Sequence, residues 1–579
     1  MNLLNVTIDG IKVQVPEGTS VLDAAKLANV DIPTLCYLKD INEIGACRMC
    51  LVDVGARALQ TACVYPCSEG LNVITNSPKI RDIRKATLEL ILSNHERTCL
   101  TCIRNNNCEL QALSEKLNVR EIPYDGVSKG LPIDNISKSI VRDNNKCILC
   151  RRCVAVCNKI QTVGAINVME RGYDTIISTA DHRSIADVNC VNCGQCINVC
   201  PVGALYEKDN TQLVWDAIKD PDKHVVIQTA PSVRAGIGEE FGYPIGTPVT
   251  GKMVAAIKKL GFDRVFDTDT AADLTIMEEG TEFLNRLNNG GKLPLITSCS
   301  PGWVKFCEHE FPDFLDNLSS CKSPQQMFGA LIKSYYAKKN NIDPSKIFVV
   351  SVMPCTAKKY EGDRQEMEKD VDISITSREL ARMIREAGVD FRSLEDAKFD
   401  DPLGEATGAG VIFGATGGVM EAALRTVYYI LEGKRINELD VKPIRGTEGI
   451  KEATIKIAGI DVSVCAVSGL SNARKVLNMI KNGEKNYHFI EIMACPGGCV
   501  NGGGQPIVPA RIRNKINVAA ERAKAIYSED QRATYRNSDE NEFVKKFYEE
   551  FAEAPGSHIA HELLHTHYIK RDRFIDKSK

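Results

Sequence analysis

The chain has 579 residues, 44% of them hydrophobic, with 72 Lys plus Arg against 75 Asp plus Glu and a net charge of −3. That length exceeds one ordinary core, so several domains are expected. The charge balance argues against a basic nucleic-acid or membrane-surface binder, and no apolar run reaches the ~18 residues of a bilayer span.

The 23 cysteines are an odd number. MNLLNVTIDG alternates like a strand and does not open with a basic segment and an apolar run. A cytoplasmic protein with metal or redox use for its thiols is therefore expected, not a disulfide scaffold.

Residues 1–80 read as a small β-rich domain. Alternation in LNVTIDGIKVQV predicts a hairpin turning at Asp9-Gly10. TSVLDAAKLANV predicts a helix capped by Thr19 or Ser20. Cys36, Cys47, Cys50 and Cys63 follow with spacing x10, x2, x12. A zinc knuckle or plain core thiols would be the bland account. A loose loop with three ligands and a fourth further on suits a [2Fe–2S] cluster better.

Residues 81–125 begin with a helix expected over 84–93 and continue as HERTCLTCIRNNNC. Cys99, Cys102 and Cys108 are one ligand short of a four-iron cluster. A lone histidine is usually a surface or satisfied core residue, but three thiols without a fourth make His95 the expected partner.

Residues 138–210 hold CILCRRCVAVC and CVNCGQCINVC, each C-x2-C-x2-C-x3-C. Zinc prefers four ligands from two separated knuckles. This internal repeat suits two cubane clusters, in which the fourth cysteine of each run serves the other cluster. One set is then Cys147, Cys150, Cys153 and Cys200, the other Cys190, Cys193, Cys196 and Cys157. Asn158 stands where proline usually follows the first run.

From residue 211 to 579 the texture is α/β with mainly parallel strands. The runs HVVIQTA, RVFDT, LPLITS, IFVVSVMP, GVIFGATGG, VSVCAVSG and HFIEIMA alternate with amphipathic stretches. Ligands in such sheets sit beyond the carboxyl ends of strands. The loops TAPSVRAG, TSCSPGW, MPCTAKKYE and MACPGGCVNGGG stand there and aim Cys299, Cys355, Cys495 and Cys499 at one place. Glycines at 497, 498 and 502–504 would admit a bulky group close to the backbone.

Three signals are set aside. HELLH (561–565) matches the zinc-protease pattern, but only fourteen residues follow it and no downstream ligand context is evident. GAGVIFGATGG fits neither nucleotide-binding glycine motif. Cys67, Cys307, Cys321 and Cys465 read as buried structural thiols.

TSCSPGW, MPCTAKKYE and MACPGGCVNGGG together closely resemble the signature loops of [FeFe]-hydrogenases, and the upstream series resembles the accessory clusters of the long, multi-cluster clostridial type. The fold this implies is multidomain. A β-grasp ferredoxin domain, a small His-ligated cluster domain and a bacterial 2[4Fe–4S] ferredoxin domain would precede an α/β catalytic domain. The resemblance implies reversible reduction of protons to H2. Its cofactors would be one [2Fe–2S], three accessory [4Fe–4S] and an H-cluster, a [4Fe–4S] unit joined to a di-iron unit bearing CO, cyanide and a bridging dithiolate. Dedicated maturation proteins would insert the H-cluster, and ferredoxin or NAD(P)H-oxidising subunits would exchange electrons.

By the same resemblance Cys499 bridges the two parts of the H-cluster, and Cys355 and Cys495 ligate its cube. Pro231, Ser232 and Lys358 would hold the cyanides. Met353, Met493 and Phe413 would form the apolar lining, with Gln325 and Ser323 as nearby polar contacts. Protons would pass along Arg286, Glu282, Ser319, Glu279 and Cys299; read without the family, Glu279, Glu282 and Arg286 make a salt-bridged helix face. The family reads TSCCPGW where this chain has Ser300. Ligation through the Ser300 oxygen, ligation by Cys299 at the expense of proton transfer, and a tolerated or introduced substitution all stand open. So do two other classes: an H2 sensor, and a non-catalytic electron carrier or assembly factor of hydrogenase-like fold. The first would be expected to carry a signalling domain; the others have no need of Lys358.

Overall fold

The computed structural model describes residues 2–127, 129–403, 405–435 and 442–575. At the N-terminus, strands Leu3–Ile8 and Ile11–Pro16 pair antiparallel, with Ile8 opposite Ile11. Asp9 (φ 47°) and Gly10 (φ 84°) are both left-handed, the backbone that a two-residue hairpin turn demands. Asn72–Val73 adds a parallel third strand. Ser20 is the cap of helix Val21–Leu27, its side chain accepting from the Asp23 N–H. The next helix is longer than expected, Pro78–Ser93, because Pro78 fits its first position and Ser77 caps it.

The repeated cysteine runs fold alike. Leu149 and Arg151 in the first, and Asn192 and Gly194 in the second, are left-handed. Each run then enters a short helix, Arg152–Ala155 or Gln195–Val199. In both, the backbone N–H two residues on donates to the first sulfur: Leu149 to Cys147 and Asn192 to Cys190, each at 3.4 Å. Such bonds favour the charged thiolate that a cluster needs.

Beyond residue 211 two four-stranded sheets carry the larger cores. One is wholly parallel, in the spatial order Arg264–Asp267, His224–Thr229, Ile347–Met353, Ile373–Thr376. The other runs Leu295–Ile296, Phe489–Met493, Ile460–Ser468, Ile450–Ile457, and only its last pair is antiparallel. GVIFGATGG is not a strand: it starts inside helix Gly408–Ile412 and ends in helix Gly418–Glu432. Its small residues allow close packing, since a Cβ on Gly410 would lie 2.4 Å from the Asp269 carbonyl oxygen. Strands Ile373–Thr376 and Ile450–Ile457 were not anticipated. The helices after residue 517 pack back onto these cores. Among the described residues no helix is long and apolar enough to cross a membrane.

Candidate metal centres and proton path

In the N-terminal domain the four thiols gather as two close pairs. Cys50 and Cys63 sulfurs are 3.3 Å apart, and Cys36 is hydrogen-bonded to Cys47. The field of Cys36 and Cys47 reaches Cys63. Four converging sulfurs fit a two-iron cluster.

His95 offers a second fit. Its Nδ1 is buried without a hydrogen-bond partner. Burial first, then the nearby Lys146 ammonium, lowers its pKa to about 4, and the Lys146 backbone bonds the ring. A neutral imidazole with one nitrogen tied to backbone and the other idle is what a metal ligand requires. Cys102 and Cys108 feel one another, whereas Cys99 is exposed.

In the dicluster region Cys153 is surrounded by Cys150, Cys200, Cys147 and, lastly, Cys196. Cys196 has Cys193, Cys190, Cys157 and Cys200 around it. The sulfurs thus fall into two groups of four, with Cys196 within the field of Cys200 and Cys153 of the other group. Burial drives the pKa of both thiols well up, so protons must leave as iron enters.

Two strand ends from each large sheet meet next. Ala230-Pro231 follows His224–Thr229, and Pro354-Cys355 follows Ile347–Met353. Thr297–Ser300 follows Leu295–Ile296, and Ala494-Cys495 follows Phe489–Met493. Cys495 lies in the field of Cys355, Cys193 and Cys499; Cys499 lies in that of Cys355 and Lys358. Both Cys499 and Cys299 pack on an apolar cluster that includes Phe413 and Met493. Met353 and Met493 are each 2% exposed.

The glycines at 502–504 bring backbone close to backbone. A Cβ on Gly502 would meet the Pro354 carbonyl oxygen at 2.0 Å, and one on Gly503 the Cys193 carbonyl oxygen at 2.2 Å. They let the last loop seat against backbone. The Thr356 hydroxyl donates to the Asn192 carbonyl at 2.7 Å across the same junction. The dicluster region is thereby joined to the last group of thiols.

The buried ammonium of Lys358 is 2.9 Å from Glu361 Oε2, which also accepts from Ser323 Oγ at 2.8 Å and Gln325 Nε2 at 3.1 Å. Glu361, the next residue after MPCTAKKY and the final letter of MPCTAKKYE, thus organises three of the anticipated residues, and its i,i+3 offset from Lys358 was the available signal. Ser232 Oγ donates to the Gly414 carbonyl at 3.2 Å, and Pro231 opens helix Pro231–Gly236. Glu491 was also missed: it is fully buried and accepts from Gly417 N–H at 2.6 Å and Met420 N–H at 2.8 Å. An acid inside the apolar run HFIEIMA marked it. Ser300 Oγ accepts from the Ala494 N–H at 3.2 Å, on the backbone just before Cys495.

Helix Asp269–Asn288 carries a buried face, not a solvated one. Arg286 Nη2 is 2.6 Å from Glu282 Oε1, and Ser319 Oγ donates to Glu282 Oε2 at 2.9 Å. Glu279 lies near Ser319 and Glu282, and its Oε2 has no partner. Burial, then repulsion from Glu282, raises Glu279 to about 8. Burial and Glu279, in that order, drive the Cys299 thiol pKa well up, so it stays protonated. Hydrogen bonds thus link Arg286, Glu282 and Ser319, and beyond them Glu279 and the protonated Cys299 thiol lie within one another's field. HELLH lies in helix His558–Leu564 and its end; His565 is tied to Glu278 and Ser320, and Glu562 is exposed. Cys67, Cys307, Cys321 and Cys465 are buried.

The C-terminal domain of the iron-only hydrogenase large subunit matches residues 223–503, and the iron hydrogenase small subunit matches 516–571. Upstream, a 2Fe–2S cluster-binding domain matches 2–78, the NADH-ubiquinone oxidoreductase-G iron–sulfur binding region 84–123, and a 4Fe–4S dicluster domain 146–204. The chain is 48% identical to the NADP-reducing hydrogenase subunit HndD of Solidesulfovibrio fructosivorans, over 99% of this chain and all of that one. It is 43% identical to iron hydrogenase 1 of Clostridium pasteurianum, over 98% and 100%. A solved variant of [FeFe]-hydrogenase HydA1 from Chlamydomonas reinhardtii shares 38% identity and a TM-score of 0.57, covering 63% of this chain and 100% of that one. With matching domains along its length and full-length relatives named as hydrogenases, the chain belongs to the multi-cluster [FeFe]-hydrogenases, H2 oxidoreductases that carry electrons through iron–sulfur clusters.

Proposed function

We propose that this hydrogenase makes and consumes H2 at a centre gripped by Cys355, Cys495 and Cys499, fed by one [2Fe–2S] and three accessory [4Fe–4S] clusters. The carrying observation is the convergence of these three thiols, Cys495 buried and Cys355 and Cys499 partly so, beside the Lys358 cation. Bound there, the H-cluster with its CO, cyanide and dithiolate ligands supplies the H2 chemistry.

The protein's own work is threefold. Lys358, with Pro231 and Ser232, offers a buried cation and small polar groups to an anionic ligand set. Met353, Met493 and Phe413 keep water out. The line Arg286, Glu282, Ser319, Glu279 and Cys299 moves protons, with Glu279 near the working pH as a relay carboxyl should be. Cys299 adjoins Glu279, which favours its use as the last proton donor. Ser300 would then offer oxygen as the remaining ligand of the four-iron unit, a harder donor than sulfur.

Electrons would enter at the N-terminal clusters from ferredoxin or an NAD(P)H-oxidising subunit. The kinship to an NADP-reducing hydrogenase subunit favours the latter. The setting would be cytoplasmic, and maturation proteins would load the H-cluster. The test is matured protein given reduced methyl viologen: H2 and infrared CO and cyanide bands are expected. A fully loaded protein with the bands present and no H2 would leave the sensor reading. Absent bands in protein exposed to the maturation proteins would overturn a bound H-cluster.

A further inference from the structure

Cys321 and HELLH carry no function on sequence grounds, yet the fold brings them together at Glu282. The segment 320–322 is zipped to 564–566 by backbone: Lys322 N–H donates to the Leu564 carbonyl at 2.8 Å, and Thr566 N–H to the Ser320 carbonyl at 2.7 Å. Cys321 and His565 form an antiparallel bridge. One ligand atom each from Glu282, Cys321 and His565 lies within 4.8 Å of the others. The Cys321 sulfur is 3.9 Å from Glu282 Oε2. Tetrahedral Zn2+ with ordinary Zn–S and Zn–O bonds would hold such a pair about 3.6 Å apart.

The surroundings are those of a metal-binding histidine. Glu278 Oε2 lies 3.0 Å from His565 Nε2, and Glu278 is fixed by the Tyr548 hydroxyl at 2.6 Å and the Gly556 N–H at 2.9 Å. A carboxylate on one ring nitrogen orients the other toward a metal. That other nitrogen, Nδ1, is 2.8 Å from the Ser320 hydroxyl, which can rotate away. Sulfur, imidazole and carboxylate on a three-ligand site select a borderline-soft divalent ion.

We propose that Glu282, Cys321 and His565 form a Zn2+ site that shuts the proton path. Binding makes S–Zn, N–Zn and O–Zn bonds. The Cys321 S–H proton passes to buffer, and no electrons move. Glu282 Oε2 leaves Ser319, so the line to Glu279 is cut. The site joins a region matching the hydrogenase large subunit to one matching the small subunit, so it also couples the C-terminal segment to catalysis. The blockade rests on the proton path proposed above; the metal site does not.

The test uses matured holoenzyme, reduced methyl viologen and Zn2+ added after chelation. H2 evolution should fall about a hundredfold, the size of a lost acid–base transfer. Anomalous diffraction at the zinc edge should place one ion among the three residues. Cys321→Ser and His565→Gln should keep activity in chelator and lose both the ion and the inhibition. Equal inhibition of the parent and both variants, or zinc only elsewhere, overturns the proposal. Zinc seated at the three residues with H2 evolution intact keeps the site, overturns the blockade and counts against Glu282 as a relay.

Discussion

Glu279 shows how one side chain couples burial to function. A carboxyl raised to about 8 keeps its proton in the fold after the unfolded chain has lost its own near the ordinary value of 4.5. Its contribution to stability is therefore lost as pH climbs from about 5 to about 8, and Glu279→Gln should flatten that part of the stability profile. H2 evolution by the parent should decline as pH passes about 8, because the relay then lacks a proton to give. Glu279→Gln should lower turnover by a factor of about 10² to 10⁴ at any pH. Viologen-driven H2 evolution and thermal melts across pH 5–9 check both. Turnover within twofold of the parent would remove Glu279 from the path. The i,i+3 spacing of Glu279 and Glu282 was visible in the sequence, but the burial that separates a relay from a salt-bridged surface was not. Phe283 on the same helix packs against Phe489, which is far away in sequence, so the burial of this helix depends on long-range contacts.

Among the elements, the cysteine-bearing turns were legible because ligand chemistry fixes their spacing. Their supports were less so. Apart from Lys358, the partners of Glu361 and Glu491 are tens of residues away, and GVIFGATGG looks like a strand until Gly410 is seen against the Asp269 backbone. The 502–504 loop yields a sharp contrast. At Gly503 a Cβ would overlap the Cys193 carbonyl and lie 2.6 Å from Gly194 Cα, where neither side can yield without moving cluster ligands. Gly503→Ala should cost about 1–3 kcal/mol, as overpacking does, and slow electron passage between the Cys193 group and the last centre. At Gly280, inside helix Asp269–Asn288, the nearest atom to a Cβ is Val427 Cγ2 at 3.6 Å. Gly280→Ala should be neutral or stabilising by up to about 1 kcal/mol from helix propensity. Denaturation of loaded protein reads the two signs, and freeze-quench spectroscopy reads the transfer. Equal stability of the two variants would mean the junction is looser than drawn.

At the scale of the molecule, the two halves are held together by different things. Among the described residues the catalytic half has four extensive apolar cores built on sheets and helices. In the cluster-bearing half one core belongs to the N-terminal domain, and another mixes Leu88, Leu110, Ile140 and Ile197 with Cys153 and Cys200, with Cys47, Cys108, Cys147, Cys157, Cys190 and Cys196 packed around it. Its sheets between residues 138 and 210 are pairs of three-residue strands. A region so small buries too little apolar surface to stand alone, and iron ligation supplies folding free energy that thiols without metal cannot. Iron removal should therefore unfold this half first. Limited proteolysis of chelated protein, read by mass spectrometry, should cut between residues 81 and 210 before anywhere else. A resistant fragment beginning near residue 211 should remain, while the loaded protein resists throughout. First cuts inside the 224–229 and 347–353 sheet would show that the catalytic cores also depend on metal, and that their apolar burial is not sufficient by itself.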